Sequence, residues 1–427
     1  MLEYSERYAS FSLGQGNFEP HDKGMYFVNE KAGFFSDLSD TKLLASTIDT
    51  VRQLYRLTPD QPFLAQVHEC YEKALQESQY LELHGVWFAV GSGGQSGYKY
   101  RLQNNEEGII IFLKNRRQSG DCRGSHLKIE FSPHYLLNRK PEEVQDFADA
   151  VSQWVSVDAP EHGGVALHLA LDVQGWEPSE DFLERLTTRS KRLFCHDAIE
   201  KVDFSLSEVA VTYGNRQTIT VGSVKSVQMC CYDKTAEAKK SDKIHYMESV
   251  WQGQDKNGLI ENVDYDSEKN VRRIEMRLHH SVMKQFQRGS DIELRSYLQA
   301  YEHLGALWRY GMNCFRLDYI KDVIDPYWQL FIEDADFHWC HQGKTYKRAY
   351  KKPGVGNEKN VTLALGNWIS IIARSKMNSH TAWKCLKKSG MFGDIVEYYG
   401  NRGIDPSQLF EMITQSLIDR RMVGKAA

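Results

Sequence analysis

Six polar side chains that could act on a phosphate ester fall in strand-like segments in the middle of the chain. They are Glu130, His168, Asp172, Tyr232, Lys234 and Glu275. Side chains alternate between the two faces of a strand, and the residues between these positions are mostly apolar. If the segments form one sheet, we expect the six side chains to meet on its polar face.

The residue types in this set suit chemistry at phosphorus. Carboxylates with a histidine are ligands for a hard divalent cation such as Mg²⁺ or Mn²⁺, which keeps open positions for phosphate oxygens. The predicted ligands are Glu130, His168, Asp172 and Glu275. A tyrosine can attack phosphorus and a lysine can stabilise the developing charge, which are the roles predicted for Tyr232 and Lys234.

A simpler explanation of the same pattern stays open. Any antiparallel sheet with one solvated face alternates polar and apolar residues. Glu130 and Glu275 are flanked by basic residues and could form cross-strand ion pairs, which contribute little at a surface. The pattern therefore predicts either a metal-dependent active site or an ordinary solvated sheet.

The surrounding elements favour an α+β fold. Strand-like segments, among them residues 201–213, follow one another from Gly85, and a helix opened by Pro141 extends to about residue 154. Few helices separate these strands, which favours a mostly antiparallel sheet with helices on its apolar face. Apolar spacing predicts helices over 41–55, 62–79 and 178–192.

We expect three regions along the chain. Residues 1–84 form a partly helical N-terminal arm, and residues 85–290 form the α+β domain. After Ser290 the apolar spacing is helical throughout, apart from a loop near residue 355. Residues 291–427 are therefore predicted as a helical C-terminal region.

Charge divides the chain unevenly. The net charge of the 427 residues is -4, but residues 338–427 contain 15 Lys and Arg against 6 Asp and Glu. A basic region of this kind predicts contact with nucleic acid. The candidate DNA-binding residues there are Lys344, Lys347, Arg348, Lys351 and Lys352, interleaved with tyrosines; Arg116 and Arg117 in an earlier loop are further candidates. The alternative is a solvated helix face with core aromatics for the first group and a plain surface loop for the second.

Four segments carry a resemblance to a known family. They are LKIEFSPHYL from Leu127, LHLALDV from Leu167, the stretch from Val221 that contains CCYDKTAE, and VRRIEMRL from Val271. In order and spacing they resemble the Rep_trans-type rolling-circle replication initiators of plasmids and filamentous phages. The resemblance covers about residues 85–290.

The resemblance implies a nickase with a ferredoxin-like sheet. In that family a strand ends in Tyr-x-Lys-x-x-Glu and its tyrosine is the nicking nucleophile, which here corresponds to Tyr232, Lys234 and Glu237. The implied reaction nicks single-stranded DNA at the origin, leaves a 5′-phosphotyrosyl bond and frees a 3′-hydroxyl that primes replication. One departure concerns the metal: the family's usual aspartate is replaced by His168.

The resemblance also implies partners. These are origin DNA, as a hairpin or a single-stranded nick site, and a host replicative helicase, because the sequence has no Walker-type nucleotide motif. A homodimer is left open. Eight scattered cysteines and the absence of a long apolar run favour the bacterial cytoplasm and no membrane partner. The alternative function is a non-catalytic DNA-binding regulator on the same fold.

Overall fold

A large antiparallel sheet forms the centre of the protein. The computed structural model describes residues 17–21, 24–29, 34–93, 97–114, 125–137, 139–188, 190, 193–196, 218–253, 265–290, 292–338, 346–349, 358–401 and 403–422. Within them, eleven strands form one sheet in the order β12-β13-β14-β15-β10-β4-β9-β8-β7-β6-β5. Every neighbouring pair in that order is antiparallel.

The strands are β1 (Asn17–His21), β2 (Gly24–Asn29), β3 (Phe34–Asp37), β4 (Lys42–Arg56), β5 (Tyr80–Leu83), β6 (Val86–Ser92), β7 (Tyr100–Asn104), β8 (Ile109–Leu113), β9 (Leu127–Phe131), β10 (Glu161–Gln174), β11 (Leu186–Thr188), β12 (Leu193–His196), β13 (Thr218–Gly222), β14 (Val227–Asp233), β15 (Val271–Leu278), β16 (Phe315–Ile320) and β17 (Val323–Ile324). Two smaller sheets contain β1, β2 and β3, and β11, β16 and β17.

The helices are α1 (Gln61–Ala74), α2 (Pro133–Leu137), α3 (Pro141–Trp154), α4 (Phe182–Arg185), α5 (Lys234–Lys240), α6 (Ile244–Trp251), α7 (His280–Ser290), α8 (Tyr297–Tyr301), α9 (Leu304–Cys314), α10 (Pro326–Glu333), α11 (Glu358–Arg374), α12 (Ser379–Lys387), α13 (Phe392–Gly400) and α14 (Pro406–Met422). Helix α3 begins as predicted, with proline in its first turn and the Glu143 carboxylate accepting from the Lys140 backbone N–H.

The apolar face of the sheet holds the main core. Alternate residues of β10, β14, β15 and β9 point to this face, where α7, α9 and α3 cover them. Met276, Leu169 and Ile129 are all fully buried there. This alternation leaves the polar residues of the same strands on the opposite face, as the sequence predicts.

Part of the polar face is also covered by a helix. Trp251 of α6 is fully buried and packs with Leu44 and Val271 in a small apolar cluster on this side. Its indole Nε1 donates to Asp172 at 2.8 Å. The polar face is therefore a partly enclosed site and not a solvated surface.

The predicted helix over 41–55 is wrong, because these residues form β4, the longest strand and a central one. Three register shifts interrupt its pairing with β10, and the two that add a residue to β4 place Leu44, Thr47 and Thr50 at buried positions three residues apart. Such spacing imitates a helix. The strand's β-branched residues, which favour extended backbone, were the contrary signal.

Two other predicted helical stretches differ in the structure. The described residues between 178 and 190 form the four-residue α4, followed by β11, which pairs with β16. The predicted all-helical region after Ser290 is interrupted by β16 and β17. Helices α11 to α14 then form an apolar cluster of their own that includes Leu365, Leu386 and Leu409.

The α+β class with a central antiparallel sheet is confirmed, and the strands predicted from Gly85 onward are present as β6 to β10 and β13 to β15. The strand predicted over 201–213 lies outside the described residues. In the part of the chain that the structure covers, no helix is both long and apolar enough to cross a membrane.

Candidate functional site

Three side chains from adjacent strands converge on the polar face of the sheet. Asp49 lies on β4, His168 on β10 and Glu275 on β15, and these strands are neighbours in the order β15-β10-β4. Each residue offers one ligand atom, and these atoms all lie within 4.8 Å of one another. We refer to these three residues as the acidic cluster.

A β-bulge places Asp49 in this cluster. His168 pairs with Thr50 and Leu169 pairs with Ile48, so Asp49 is the additional residue that has no partner in register on β10. Bulges re-aim side chains in this way and are common beside functional sites. Asp49 was not predicted from sequence, because the apolar spacing of residues 41–55 favours a helix.

Charges around the cluster set the protonation of His168 and Glu275. The His168 Nδ1 lies 2.9 Å from a Glu275 carboxylate oxygen. Burial, and next the charge of Arg52, lower the pKa of His168 to about 4, which leaves its ring neutral near pH 7. Burial alone would raise the pKa of Glu275, but Arg277 and His168 hold it well below its usual value. The cluster therefore presents the protonation states that metal ligands require.

Asp172, a predicted ligand, is held in a different interaction. Its two carboxylate oxygens accept hydrogen bonds from Arg273 at 2.7 and 2.8 Å, and one also accepts from Trp251. Arg273 and Asp172 are both fully buried. The structure thus places Asp172 in a bidentate ion pair beside the acidic cluster, with Arg273 also bonded to Asp49 at 2.6 Å.

Glu130, the fourth predicted ligand, lies one strand further away on β9. It has no solvent exposure and forms ion pairs with Lys128 at 2.6 Å and Arg52 at 3.1 Å. Burial opposes ionisation of Glu130, but these two cations lower its pKa below the usual value. Of the four predicted ligands, the structure brings only His168 and Glu275 together in the acidic cluster.

Tyr232, the predicted nucleophile, borders the cluster. Its hydroxyl lies 3.5 Å from a Glu275 carboxylate oxygen, and its side chain is 6% exposed. Burial, followed by the nearby Glu275 charge, raises the pKa of Tyr232 well above 10. The hydroxyl is therefore protonated at neutral pH in the folded protein.

Lys234 and Glu237 begin the helix that follows Tyr232. Asp233 caps this helix by accepting from the Ala236 backbone N–H at 2.8 Å, which fixes α5 directly after β14. Lys234 and Glu237 form an ion pair one turn apart, and the Lys234 ammonium lies 6.0 Å from the centre of the Tyr232 ring. The predicted Tyr-x-Lys-x-x-Glu group is thus assembled in one place.

A second tyrosine lies close to the cluster and was not predicted from sequence. Tyr246 is on α6, and burial raises its pKa to about 12; the charge of Arg273 opposes this shift and that of Asp49 adds to it. Its hydroxyl oxygen is buried and makes no hydrogen bond within the described residues. Its ring contacts His134 at a centroid distance of 5.3 Å.

The acidic cluster fits a divalent cation. It supplies two carboxylates and a neutral imidazole on one side of a rigid sheet, and such a mixed set binds metals of the Mn²⁺ and Mg²⁺ type. Arg273 and Arg277 pair with Asp49 and Glu275, so the carboxylates are charge-balanced by guanidinium groups in this structure. The donor set does not identify the metal.

The predicted DNA-binding residues have mixed outcomes. Arg116, Arg117, Lys344, Lys351 and Lys352 lie outside the described residues. Lys347 is exposed, whereas Arg348 is half-buried and donates to Gln285 at 2.7 Å and to the Tyr310 hydroxyl at 2.9 Å. Both described residues pack beside α7.

Comparison with known proteins gives one relationship over the whole chain. No protein-family model matches the sequence. The chain is 33% identical over 419 residues to the uncharacterized protein ORF430 of Pseudomonas phage Pf1, and the alignment covers 95% of both proteins. The chain belongs to the family of this phage protein. The relationship indicates a phage-associated protein. The name of the phage relative states no activity.

Proposed function

We propose that this protein is a metal-dependent DNA nickase and strand transferase that initiates rolling-circle replication of a phage-type replicon. The observation that supports the proposal most directly is the acidic cluster of Asp49, His168 and Glu275 with the Tyr232 hydroxyl 3.5 Å from Glu275. A carboxylate and imidazole set beside a tyrosine is suited to phosphodiester transfer. The relationship to a phage protein agrees with a phage replicon.

The proposed reaction is a transesterification. The Tyr232 oxygen forms a bond to phosphorus, the bond from phosphorus to the 3′-oxygen breaks, and the leaving 3′-oxygen acquires a proton. Glu275 lies nearest to the phenol and is the group placed to accept its proton. A divalent cation held by Asp49, His168 and Glu275 would polarise the phosphate.

The other predicted residues support Tyr232 in this scheme. Lys234 lies against the Tyr232 ring and is paired with Glu237, so it adds positive charge where the phosphate oxygens would bind. Arg273 and Arg277 flank the cluster and balance its carboxylates before a phosphate arrives. Because the phosphotyrosyl bond conserves energy, rejoining needs no nucleotide, and strand separation is left to a host helicase.

A second candidate function is a DNA-binding regulator that keeps the sheet without catalysis. The burial of Tyr232 favours this candidate, since a nucleophile with 6% of its surface exposed is poorly accessible to a nucleic acid strand. The two functions differ in one product: only the nickase forms a covalent bond between protein and DNA.

The test is a search for that covalent product. Labelled single-stranded oligonucleotides that tile the replicon carrying this gene are incubated with the protein and Mn²⁺, and adducts are resolved on denaturing gels and mapped by mass spectrometry. We expect an adduct on Tyr232 that is lost in Tyr232→Phe and in Asp49→Asn. Tyr319→Phe is the matched control, because Tyr319 is 45% exposed on β16.

Two results would count against the nickase. If an adduct persists in Tyr232→Phe, a different residue is the nucleophile. Mapping of that adduct to Tyr246 would identify the nucleophile as the buried phenol on α6. If wild-type protein binds the oligonucleotides but forms no adduct on any of them, the regulator is the better description.

A further inference from the structure

Lysine and arginine side chains, with two histidines that are neutral near pH 7, surround the start of helix α7. His280, Lys284 and Arg288 are four residues apart and therefore line one face of the helix. We define the α7 surface as these three residues with His279, Arg56 at the end of β4, and Lys225 in the turn before β14. Arg56, Lys225 and Arg288 are exposed, and the other three are half-buried.

The charges of the α7 surface lack acidic partners. Burial, and then Arg56, Arg288 and Arg295, lower the pKa of Lys284, so every charged neighbour that affects this ammonium is a cation. Among the residues that the structure describes, Arg56, Lys284 and Arg288 form no ion pair, although Glu161 lies opposite Arg56 in register on β10. Cations held together without counter-charges repel one another, and a bound polyanion relieves that repulsion.

The α7 surface is contiguous with the acidic cluster. Its His279 is close enough to Arg52 for that charge to lower the histidine pKa, and Arg52 is paired with Glu130. The same Arg52 lowers the pKa of His168 in the cluster. Arg52 pairs in register with Ala166, two residues from His168 on β10, so a basic side chain of β4 lies between the α7 surface and the candidate metal ligands.

The segment 346–349 extends the basic character on the other side of the helix. The Lys347 backbone N–H donates to Ser290, and Ala349 donates to the Gln285 carbonyl at 3.0 Å. This close contact needs glycine at position 289, where a Cβ would lie 2.0 Å from the Lys347 carbonyl oxygen. Lys347 and Arg348 are thereby fixed against α7.

The recess of the acidic cluster selects the kind of polyanion. His168 and Glu275 are 4% and 1% exposed, and α6 covers the neighbouring part of the sheet. A base-paired duplex holds its phosphates on a stiff helix and cannot bring one of them to a site covered in this way, whereas a flexible single strand can approach along the α7 surface. The same recess prevents a lipid surface or a folded acidic protein from contacting the candidate metal ligands.

We propose that the α7 surface binds the phosphate backbone of single-stranded DNA and guides the strand into the acidic cluster. The part concerning the cluster rests on the proposed function, whereas binding by the α7 surface does not require cleavage. Basic side chains take the phosphates, and His279 and His280, whose rings lie 4.0 Å apart, directly follow β15, the strand that carries Glu275.

The test measures binding without metal, so that catalysis plays no part. Fluorescence anisotropy of a labelled 20-nucleotide oligothymidylate is followed in EDTA over a range of salt concentrations. The variant replaces Arg56, Lys284 and Arg288 with alanine. The matched control replaces Lys73, Lys269 and Lys321, which are exposed and lie in α1 and in two turns, and so removes the same charge elsewhere.

Counterion release gives the expected effect. Loss of three phosphate contacts on a single strand reduces the slope of log affinity against log salt by about 2, and affinity at 0.1 M salt falls about 100-fold. We expect the control variant to bind within about twofold of wild type, and circular dichroism to show both variants folded.

Three outcomes would overturn the α7 surface as a strand-binding site. They are equal losses in the two triple variants, unchanged affinity in the α7 variant, and a loss for a 20-base-pair duplex but not for the single strand. A protein that forms no covalent adduct but shows the expected binding losses would refute the nickase and leave the α7 surface intact.

Discussion

Replacement of Asp172 separates a structural role from a metal-binding role. Its carboxylate is fully buried, accepts two hydrogen bonds from Arg273 and receives a third from the Trp251 indole. Asp172→Ala removes all three and leaves the Arg273 guanidinium, which is 1% exposed, without its bidentate partner. We expect this variant to be destabilised and to lose metal affinity only as a consequence of unfolding.

The magnitude follows from the contacts that remain. Removing one partner of a buried ion pair costs about 3–5 kcal/mol, because the other charge stays buried without compensation. The unsatisfied Trp251 indole adds to this cost, whereas the 2.6 Å contact from Arg273 to Asp49 reduces it. We therefore expect the free energy of unfolding to fall by about 4 kcal/mol.

The assay is urea denaturation followed by tryptophan fluorescence and circular dichroism, paired with Mn²⁺ titration calorimetry. Asp49→Ala is the comparison, because its side chain is 19% exposed and its loss leaves Arg273 paired with Asp172. That variant should lose about 1 kcal/mol of stability at most and at least about tenfold in Mn²⁺ affinity.

The reverse pattern would refute the interpretation. If Asp172→Ala unfolds within about 1 kcal/mol of wild type and its folded form loses Mn²⁺ affinity, then Asp172 is a ligand, as the sequence alone predicts. Unchanged Mn²⁺ affinity in Asp49→Ala would remove Asp49 from the acidic cluster.

Two further predictions concern stability. Burial, with Arg52 and Lys225, lowers the pKa of His279 to about 4, and burial with His279 lowers that of His280 to about 3, so the unfolded chain binds more protons below pH 6.5. The free energy of unfolding should fall from pH 6.5 to pH 4, by at most about 1.4 kcal/mol per pH unit for each histidine. In a variant with both histidines replaced by glutamine, urea titrations should show a free energy of unfolding that depends less steeply on pH. Gly175 has φ +80, and a Cβ there would lie 1.9 Å from the Asp40 carbonyl oxygen, whereas Gly85 has φ +77 and open space around it. Gly175→Ala should therefore cost at least about 2 kcal/mol more than Gly85→Ala, and equal thermal stability of the two variants would contradict the close contact.

Much of the sheet was predictable from sequence because its strands keep a strict two-residue period. In β10, β14 and β15 the apolar residues face the core and the polar residues share the other face, so His168, Tyr232 and Glu275 were expected together. Pro141 indicated the start of α3, and the predicted end near residue 154 agrees with the structure. These features depend on local sequence, which is why a single chain is enough to predict them.

The choice of charge partners was not predictable in the same way. Asp172, Glu130 and Glu275 all occupy polar-face positions, and only the three-dimensional arrangement of arginines decides how each is paired. Arg273 engages both oxygens of Asp172, whereas Arg52 and Lys128 engage Glu130. The sequence shows which carboxylates share the face, but it does not show which of them each guanidinium group pairs with.

The bulge at Asp49 links the two largest differences between expectation and structure. An additional residue in β4 breaks the two-residue period, and for that reason the segment has the spacing of a helix. The same additional residue turns a carboxylate toward His168 and Glu275, so the feature that hides the strand also completes the acidic cluster. In the structure, Ile48 and Thr50 pair with β10, and Asp49 between them is the additional residue of the bulge. A strand of regular period would have no such additional residue to turn a carboxylate toward the site. An irregularity in an otherwise regular sheet is thus the structural feature that distinguishes a candidate metal centre from a row of surface ion pairs.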